Sequence, residues 1–395
     1  MLIKPIAYWQ GPIVAGAPVG PAQFIFLNGF NFFQWRDTRL GLAAQGGIAK
    51  IDLTGSLDTT WTSNANPSTQ TQVRFAVPLN GNMYGDTRNS TGGNQIKKWN
   101  ATGNIVATSS VGNSVWAMNA REGNTFFMIT GDRAVTYGGT GINGIAKINE
   151  DLTRDTTFTT NVGLGPQGGT SPAGFIISSF VSADRIGVSG TFTTWNGNAT
   201  YERFVVLNYD GTRDTSFVRT GTFNGNVNTS IFIDNKWIVG GLFTTYGGVT
   251  RNYIMAFNTD GSVNTTFSTN IGSAFNSTVN SFTRVSDTQI IVTGAFTTLN
   301  GATRNRVVLL NTDGTIPTNI FGTGFSSTPF YVALDNTGKI YAATAATTAP
   351  TYNGFSSNNF FPINADGSIN SSFITGSAMR TVGTGLAEAG GLFVR

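Results

Sequence analysis

The 395-residue chain contains no cysteine and no histidine. Their absence removes disulfides, thiolate nucleophiles, every Ser-His-Asp or Cys-His arrangement and the usual zinc and copper ligand sets. Charge is scarce as well: Asp, Glu, Lys and Arg make up 11% of the chain, against about 25% in an ordinary soluble domain. The formal net charge of +4 comes from 24 basic and 20 acidic residues with no run of Lys or Arg. It therefore reflects few acids rather than a basic patch, and nucleic acid is not an expected partner. The densest basic spot, Lys97-Lys98-Trp99, reads as a solvated strand face. No segment reaches the roughly 18 apolar residues of a membrane span. Near the start, Lys4 and an apolar stretch imitate an export signal, but Trp9-Gln10-Gly11-Pro12 interrupts the apolar core, so no cleaved signal is expected.

What the chain has in place of charge is glycine (50 residues) together with Asn, Thr and Ser, and these arrive in repeated words. "N-T-D-G-S-V-N-T-T-F" (Asn258 to Phe267) returns as "N-Y-D-G-T-R-D-T-S-F" (Asn208 to Phe217) and "N-A-D-G-S-I-N-S-S-F" (Asn364 to Phe373). Aligned on this turn word, seven anchors appear at Asp52, Asn100, Asn149, Asn208, Asn258, Asn311 and Asn364, spaced by 48, 49, 59, 50, 53 and 53 residues. A period near 50 is that of one four-stranded propeller blade. A second word precedes the turn at a fixed distance: "S-G-T-F-T-T-W-N-G", "G-G-L-F-T-T-Y-G-G" and "T-G-A-F-T-T-L-N-G". It places Tyr137, Trp195, Tyr246, Leu299 and Tyr352 at 12 or 13 residues before an anchor. Within a unit, short apolar runs are bounded by Gly, Asn and Asp, as in "S-I-F-I-D-N-K-W-I-V-G-G", which is a hairpin pattern. No helical periodicity of useful length is evident.

The fold expected is all-β: a seven-bladed β-propeller of four-stranded antiparallel blades, its ring closed by N- and C-terminal strands. Closure removes the exposed sheet edges that a linear array would carry. Residues 1–23 fall outside the repeat and read as an N-terminal arm, with Tyr8 and Trp9 as candidate docking residues; residues 24–395 read as a single propeller domain. The two words also resemble the delta-sixty repeat, on "R-N-x-x-x-x-L-N-x-D-G-x-x-D-x-x-F" and "G-G-x-F-T-T-Y-x-G". That family of propeller units of uncharacterised function occurs in bacterial surface proteins and phage-encoded proteins. The match is good over 180–320 and weaker over 40–160 and 340–395. The resemblance implies a propeller and implies no chemistry.

Catalysis without histidine leans on paired carboxylates, so the acids were sorted by repeat position. Asp52, Asp58, Glu150, Asp151, Asp155, Asp210, Asp214, Asp260, Asp313 and Asp366 lie in the turn word. Glu122, Asp184, Asp234, Asp287, Asp335 and Glu388 lie in the hairpin between a unit's first two strands, and Asp86 and Asp132 follow a strand-ending glycine. Asp and Asn stabilise turns by bonding their own backbone, which leaves only Asp37 and Glu202 without a repeat role. The turn word lacks the alternating carboxylates and late Glu of a calcium loop. Gly163 to Gly169 has neither the Lys nor the helix pattern of a phosphate cradle. No cofactor or metal is expected.

Tyr137, Trp195, Tyr246 and Tyr352 form a candidate ligand rim for sugar stacking, set against the alternative that they pack between neighbouring units, as Phe158, Phe217, Phe267 and Phe373 are expected to do. The functional expectation is a non-enzymatic structural or interaction protein. Its preferred setting is a phage virion, as a multi-copy tail, tail-appendage or capsid-decoration component meeting other virion proteins and a host glycan or receptor. A bacterial cell-surface adhesion propeller and a polysaccharide-active enzyme are the alternatives.

Overall fold

The computed structural model describes residues 24–27, 30–35, 47–52, 60–61, 64, 71–89, 94–112, 115–120, 126–131, 135–169, 176–182, 184–335, 337–344, 350–357, 360–371 and 392–393. The candidate arm with Tyr8 and Trp9 lies outside them, as do Asp37, Asp58, Glu122, Asp132, Phe373 and Glu388.

Strands dominate, and their local causes are plain in the fifth unit. The run Val227–Ile233 is rich in β-branched and aromatic residues, which suit a pleated strand. It reverses at Asp234 and Asn235, both at positive φ (50° and 54°), the geometry of a tight hairpin whose twist matches that of the strands. The chain returns as Lys236–Gly241, buried from its second residue onward, and a third strand, Ile254–Asn258, pairs antiparallel with it. The fourth unit (Ile176–Val181, Arg185–Gly190, Phe204–Asn208), the sixth (Val279–Arg284, Gln289–Gly294, Val307–Asn311) and the seventh (Pro329–Leu334, Ile340–Thr344, Phe360–Ile363) repeat this order. So do the third (Val115–Ala120, Phe126–Gly131, Ile145–Asn149), the second (Thr71–Leu79, Asn82–Asn89, Asn94–Trp99) and the first (Phe24–Leu27, Phe30–Trp35, Gly47–Asp52). In the first unit, Leu392–Phe393 adds a parallel partner to Phe24 and Ile25.

Six of these units share a feature that their sequences do not announce. The first strand is interrupted by a register shift just after its start, between Val73 and Phe75, Val115 and Ala117, Ile176 and Ser178, Val227 and Thr229, Val279 and Ser281, and Pro329 and Tyr331. A bulge at a constant place turns the strand by a constant amount. The skipped residue is Arg74, Trp116, Ile177, Asn228, Asn280 and Phe330 in turn, so the backbone repeats in all six while the side chain repeats only between the fifth and sixth units.

Among the described residues the second unit has a fourth strand, Ile105–Val111, paired antiparallel with Asn94–Trp99, while the third to seventh units are three-stranded. In these the segment after the turn word accounts for the difference from four. It rejoins the sheet through a single bridge (Ile148 to Arg154, Leu207 to Arg213, Phe257 to Val263, Ile363 to Ile369). In the third and fifth units it then coils into a short helix, Thr156–Val162 and Thr265–Ile271, where the sequence reading expected none. The cause is the residue that opens the segment. Asp155 and Asn264 act as N-caps, their side-chain oxygens accepting the amides of Phe158 (2.9 Å) and Phe267 (2.8 Å), which satisfies a donor that the first turn would otherwise leave orphaned. Seven residues are too few for a visible period, and here the cap and the burial of Phe158, Val162, Phe267 and Ile271 decide the conformation.

Neighbouring units pack by filling each other's gaps. Trp237 of the fifth unit is fully buried and stands edge-on to Phe204 of the fourth, ring centroids 5.7 Å apart. Gly187 of the fourth unit makes the room: a Cβ there would lie 2.4 Å from the indole. Gly240 repeats the arrangement toward Val279 and Phe282 of the sixth.

Candidate functional site

The turn word is the feature with most polar chemistry, and the fourth unit illustrates it. Asn208 ends a strand, its N–H donates to the Thr212 carbonyl (2.7 Å), and Gly211 N–H donates back to the Asn208 carbonyl (3.0 Å). Asp210 Oδ1 accepts both the Thr212 amide (2.9 Å) and the Thr212 hydroxyl (2.6 Å), while Asn208 Nδ2 donates to the same hydroxyl (2.9 Å). The network recurs with Asn149, Asp151 and Thr153, with Asn258, Asp260 and Ser262, with Asn311, Asp313 and Thr315 and with Asn364, Asp366 and Ser368. In the second unit, Asn100 Oδ1 accepts from Thr102 instead.

The turns of the third to sixth units are also fastened to the unit before them. The carbonyl of the residue after the anchor accepts a cation: Lys98 Nζ reaches Glu150 O (3.2 Å), Lys147 Nζ reaches Tyr209 O (3.4 Å) and Arg185 Nη1 reaches Thr259 O (3.4 Å). One position further along, Asn161 Nδ2 donates to Asp210 O and Asn270 Nδ2 to Asp313 O, both at 2.9 Å, and the Val218 amide donates to Asp260 O (2.8 Å). The following glycine closes against the same segment. A Cβ on Gly211 would lie 2.7 Å from Phe158 O, and one on Gly314 would lie 2.6 Å from Phe267 O. Phe158 and Phe267 thus pack where one unit meets the next.

These bonds have an electrostatic signature. In Asp151, Asp210, Asp260, Asp313 and Asp366 the neighbouring Thr or Ser hydroxyl, followed by the backbone amide, holds the carboxyl below its ordinary value. A carboxylate with a depressed folded-state pKa contributes stability that is in place above its unfolded value, near 4, and is lost as pH falls through the folded one. Urea unfolding midpoints should therefore drop between pH 7 and pH 3. A chain carrying Asp210→Asn, Asp260→Asn and Asp313→Asn should show a smaller drop, and an equal drop would contradict the assignment.

The candidate rim residues are brought to one repeat position but not to an open surface. Tyr137 is 3% exposed, Trp195 1%, Tyr246 4% and Tyr352 0%. Tyr137 and Tyr352 donate their hydroxyls to the carbonyls of Leu152 (2.8 Å) and Gly367 (2.7 Å), and Tyr246 Oη accepts the Gly221 amide (3.0 Å). Burial raises the Tyr137 phenol to about 12 and pushes Tyr352 up as well. Rings so enclosed pack the outer hairpins onto the sheets and present no stacking face.

Glu202 lies in the core, 8% exposed. Its Oε1 accepts the Phe223 amide (2.6 Å) and its Oε2 pairs with Arg203. Beside it Arg219, 2% exposed, donates Nη2 to the carbonyls of Thr200 (2.7 Å) and Glu202 (2.9 Å). Burial lowers this guanidinium from its ordinary value, against the opposing pull of Tyr246 and Glu202. The segment Phe217 to Phe223 has no helix; it buries Arg219, whereas the helical units bury Val162 and Ile271. The cluster is a local repair with every carboxylate oxygen engaged.

Two stretches, residues 234–267 and 286–316, match the β-propeller "domain of unknown function (DUF5122)". This match supports a propeller family and covers less than half of the chain. No curated protein sequence matches the chain. Among solved structures, puromycin hydrolase is similar at 11% identity and a TM-score of 0.50, over 98% of this chain but 57% of that one. A protein of unknown function from Bacteroides caccae is similar at 13% identity, covering 66% of this chain and 91% of the other, with a TM-score of 0.31. A gluconolactonase from Xanthomonas campestris is similar at 11% identity, over 90% and 87%, with a TM-score of 0.31. All-β architecture of the propeller kind is the conclusion that the strands, the family match and the likeness to puromycin hydrolase carry.

They also correct one expectation. The sequence reading held the chain not to be an enzyme, and that exclusion is overturned by the likeness to a protein named puromycin hydrolase, of which the chain spans 57%. At this identity the likeness concerns the fold and transfers no residue. The missing His and Cys exclude particular nucleophile and metal sets, and nothing broader.

Proposed function

We propose that the chain is a multi-copy structural and interaction component of a phage particle, in the tail, a tail appendage or a capsid decoration, and that it meets the host surface through its outer hairpins. On this reading the chain forms a seven-bladed ring. Each blade has four strands on this reading, the fourth being Ile105–Val111 in the second unit and the outer segment after the turn word in the others. The seven anchors support the ring, as does the strand Leu392–Phe393, which pairs with Phe24–Leu27 and touches Pro329–Leu334.

The observation that carries the functional reading is the contrast within the outer hairpins. Their inward residue is a large buried side chain in the third to seventh units, whereas the tip residues are exposed and differ: Thr140, Asn198, Val249, Ala302 and Phe355. A frame that repeats while its exposed tips vary is suited to present different contacts from one rigid support. Low charge with abundant Asn, Thr and Gly fits a protein that stays soluble by neutral polar groups.

The test is to purify particles, identify the chain in them by mass spectrometry, and measure binding of the purified protein to host cells. Deleting residues 2–23 should abolish incorporation while leaving the unfolding midpoint unchanged. Absence of the chain from particles would sink the virion reading, and unchanged incorporation of the deletion would sink the docking arm.

A further inference from the structure

The repeat distributes charge unevenly between the two ends of the sheets. Consecutive turn words lie together, since Lys98, Lys147 and Arg185 each bond the turn of the following unit. The hairpins between the first two strands share that end, where Asp234 Oδ2 accepts the hydroxyl of Thr312 from the sixth unit's turn (2.9 Å). Every described acid belongs to this turn end except Asp86, midway along a strand, and Glu202. Glu202 is neutralised by Arg203. The opposite end, which carries the outer hairpins, therefore holds arginines with no free acid among the described residues.

Two of these arginines are set apart by their geometry. Arg251 and Arg304 are equivalent residues of the fifth and sixth units, each seven positions before its anchor. Their backbone amides close the hairpin by donating to Thr244 O and Thr297 O, both at 2.8 Å. The amides of Ile142 and Ser357 make the same bond in the third and seventh units, to Val135 O and Pro350 O. The structural task at this position therefore belongs to the main chain, and arginine is not required for it. Each guanidinium spends Nη1 on the carbonyl just before it, Thr250 O (2.8 Å) and Thr303 O (2.7 Å). This bond holds the group at the hairpin base; Nε is buried without a hydrogen-bond partner among the described residues, and Nη2 bonds no described residue. Arginine so held is suited to oxyanions, which the two terminal nitrogens can meet side by side, since Nη1 keeps a second N–H beside Nη2, and a flexible lysine would be less specific.

We propose that the hairpin end of the fifth and sixth units binds an acidic polysaccharide through its carboxylate or phosphate groups, with Arg251 and Arg304 as contact residues. The inference rests on the reading of the outer hairpins as the host-facing surface, and gives that surface a ligand class. Two fixed cations on neighbouring units match a polymer that carries its anions at intervals, and the uncompensated charge of this end favours its approach.

The full-length protein is tested for binding to a polyuronate, a polyglycerol phosphate, neutral dextran and duplex DNA. The two acidic glycopolymer probes distinguish carboxylate from phosphate as the source of the anion. The expected result is binding to at least one of them and not to dextran, weakening steeply between about 50 and 200 mM salt. Arg251→Gln with Arg304→Gln should lower that affinity at least tenfold without moving the unfolding midpoint, and either substitution alone should lower it measurably, while Arg284→Gln at the turn end, which removes one charge as each single variant does, should leave it unchanged. Equal binding to dextran, tighter binding to duplex DNA, no binding to either acidic probe, or an equal loss with Arg284→Gln would each overturn the proposal. Host-cell binding that persists without binding to the acidic probes would refute this ligand and spare the host-contact reading. Binding to an acidic probe that depends on the two arginines, in a protein that does not bind host cells, would do the reverse.

Discussion

Gly314→Ala should destabilise the protein by about 3 to 5 kcal/mol, while Gly301→Ala should cost only about 1 to 2 kcal/mol. Both glycines sit at positive φ, 89° and 77°, so both substitutions carry the strain of a left-handed residue. What separates them is the neighbour. A Cβ on Gly301 meets nothing within 4 Å, whereas one on Gly314 lies 2.6 Å from Phe267 O, a backbone atom of the preceding unit. Backbone cannot swing aside as a side chain can, so relief requires moving one unit away from the next and breaking the bond from Asn270 to Asp313 O. Denaturant unfolding of the two variants measures the difference, and equal midpoints would mean that the turn glycine serves its own loop alone.

Trp237→Ala should cost about 3 to 5 kcal/mol, the range for removing a large buried aromatic. The indole is fully buried against Phe204 and Phe232, and alanine would leave a cavity between two units. Gly187 supplies an internal check. In the native chain Gly187→Ala is obstructed by the indole at 2.4 Å and should be clearly destabilising. In the Trp237→Ala background the same change should cost far less, because its obstacle is gone. Additive effects in the double-mutant cycle would contradict this packing.

Much of the architecture was legible in the sequence because it is written in turns. Asn208-Tyr209-Asp210-Gly211 and its counterparts carry their own local instructions, an acceptor side chain and a residue tolerant of positive φ, so their spacing located the strand ends. The acids sorted as turn formers for the same reason. Other features depend on partners far along the chain. Lys147 meets Tyr209 across 62 residues and Asn161 meets Asp210 across 49, and the residue type making the link changes from unit to unit. The helices at Thr156–Val162 and Thr265–Ile271 were missed because a cap and two buried side chains, rather than a period, make them. The rim aromatics were correctly aligned, yet alignment alone does not say which way a ring faces; the buried hydroxyl bonds of Tyr137 and Tyr352 settle that. The bulge residues left little signal, since Arg74, Trp116, Ile177 and Phe330 differ from one another and only Asn228 and Asn280 repeat a residue type.

The central claim is that the repeated acidic turn is a fastening between consecutive units rather than a site of chemistry. Native-state hydrogen exchange of Asn270→Ala tests it most directly. This side chain belongs to the helix of the fifth unit, is half-buried, and donates to Asp313 O of the sixth. The account predicts that amides 311–315, more than 40 residues away, lose protection together with those of 265–271, while the turn at 208–212 keeps its own. Faster exchange confined to 265–271 would contradict it.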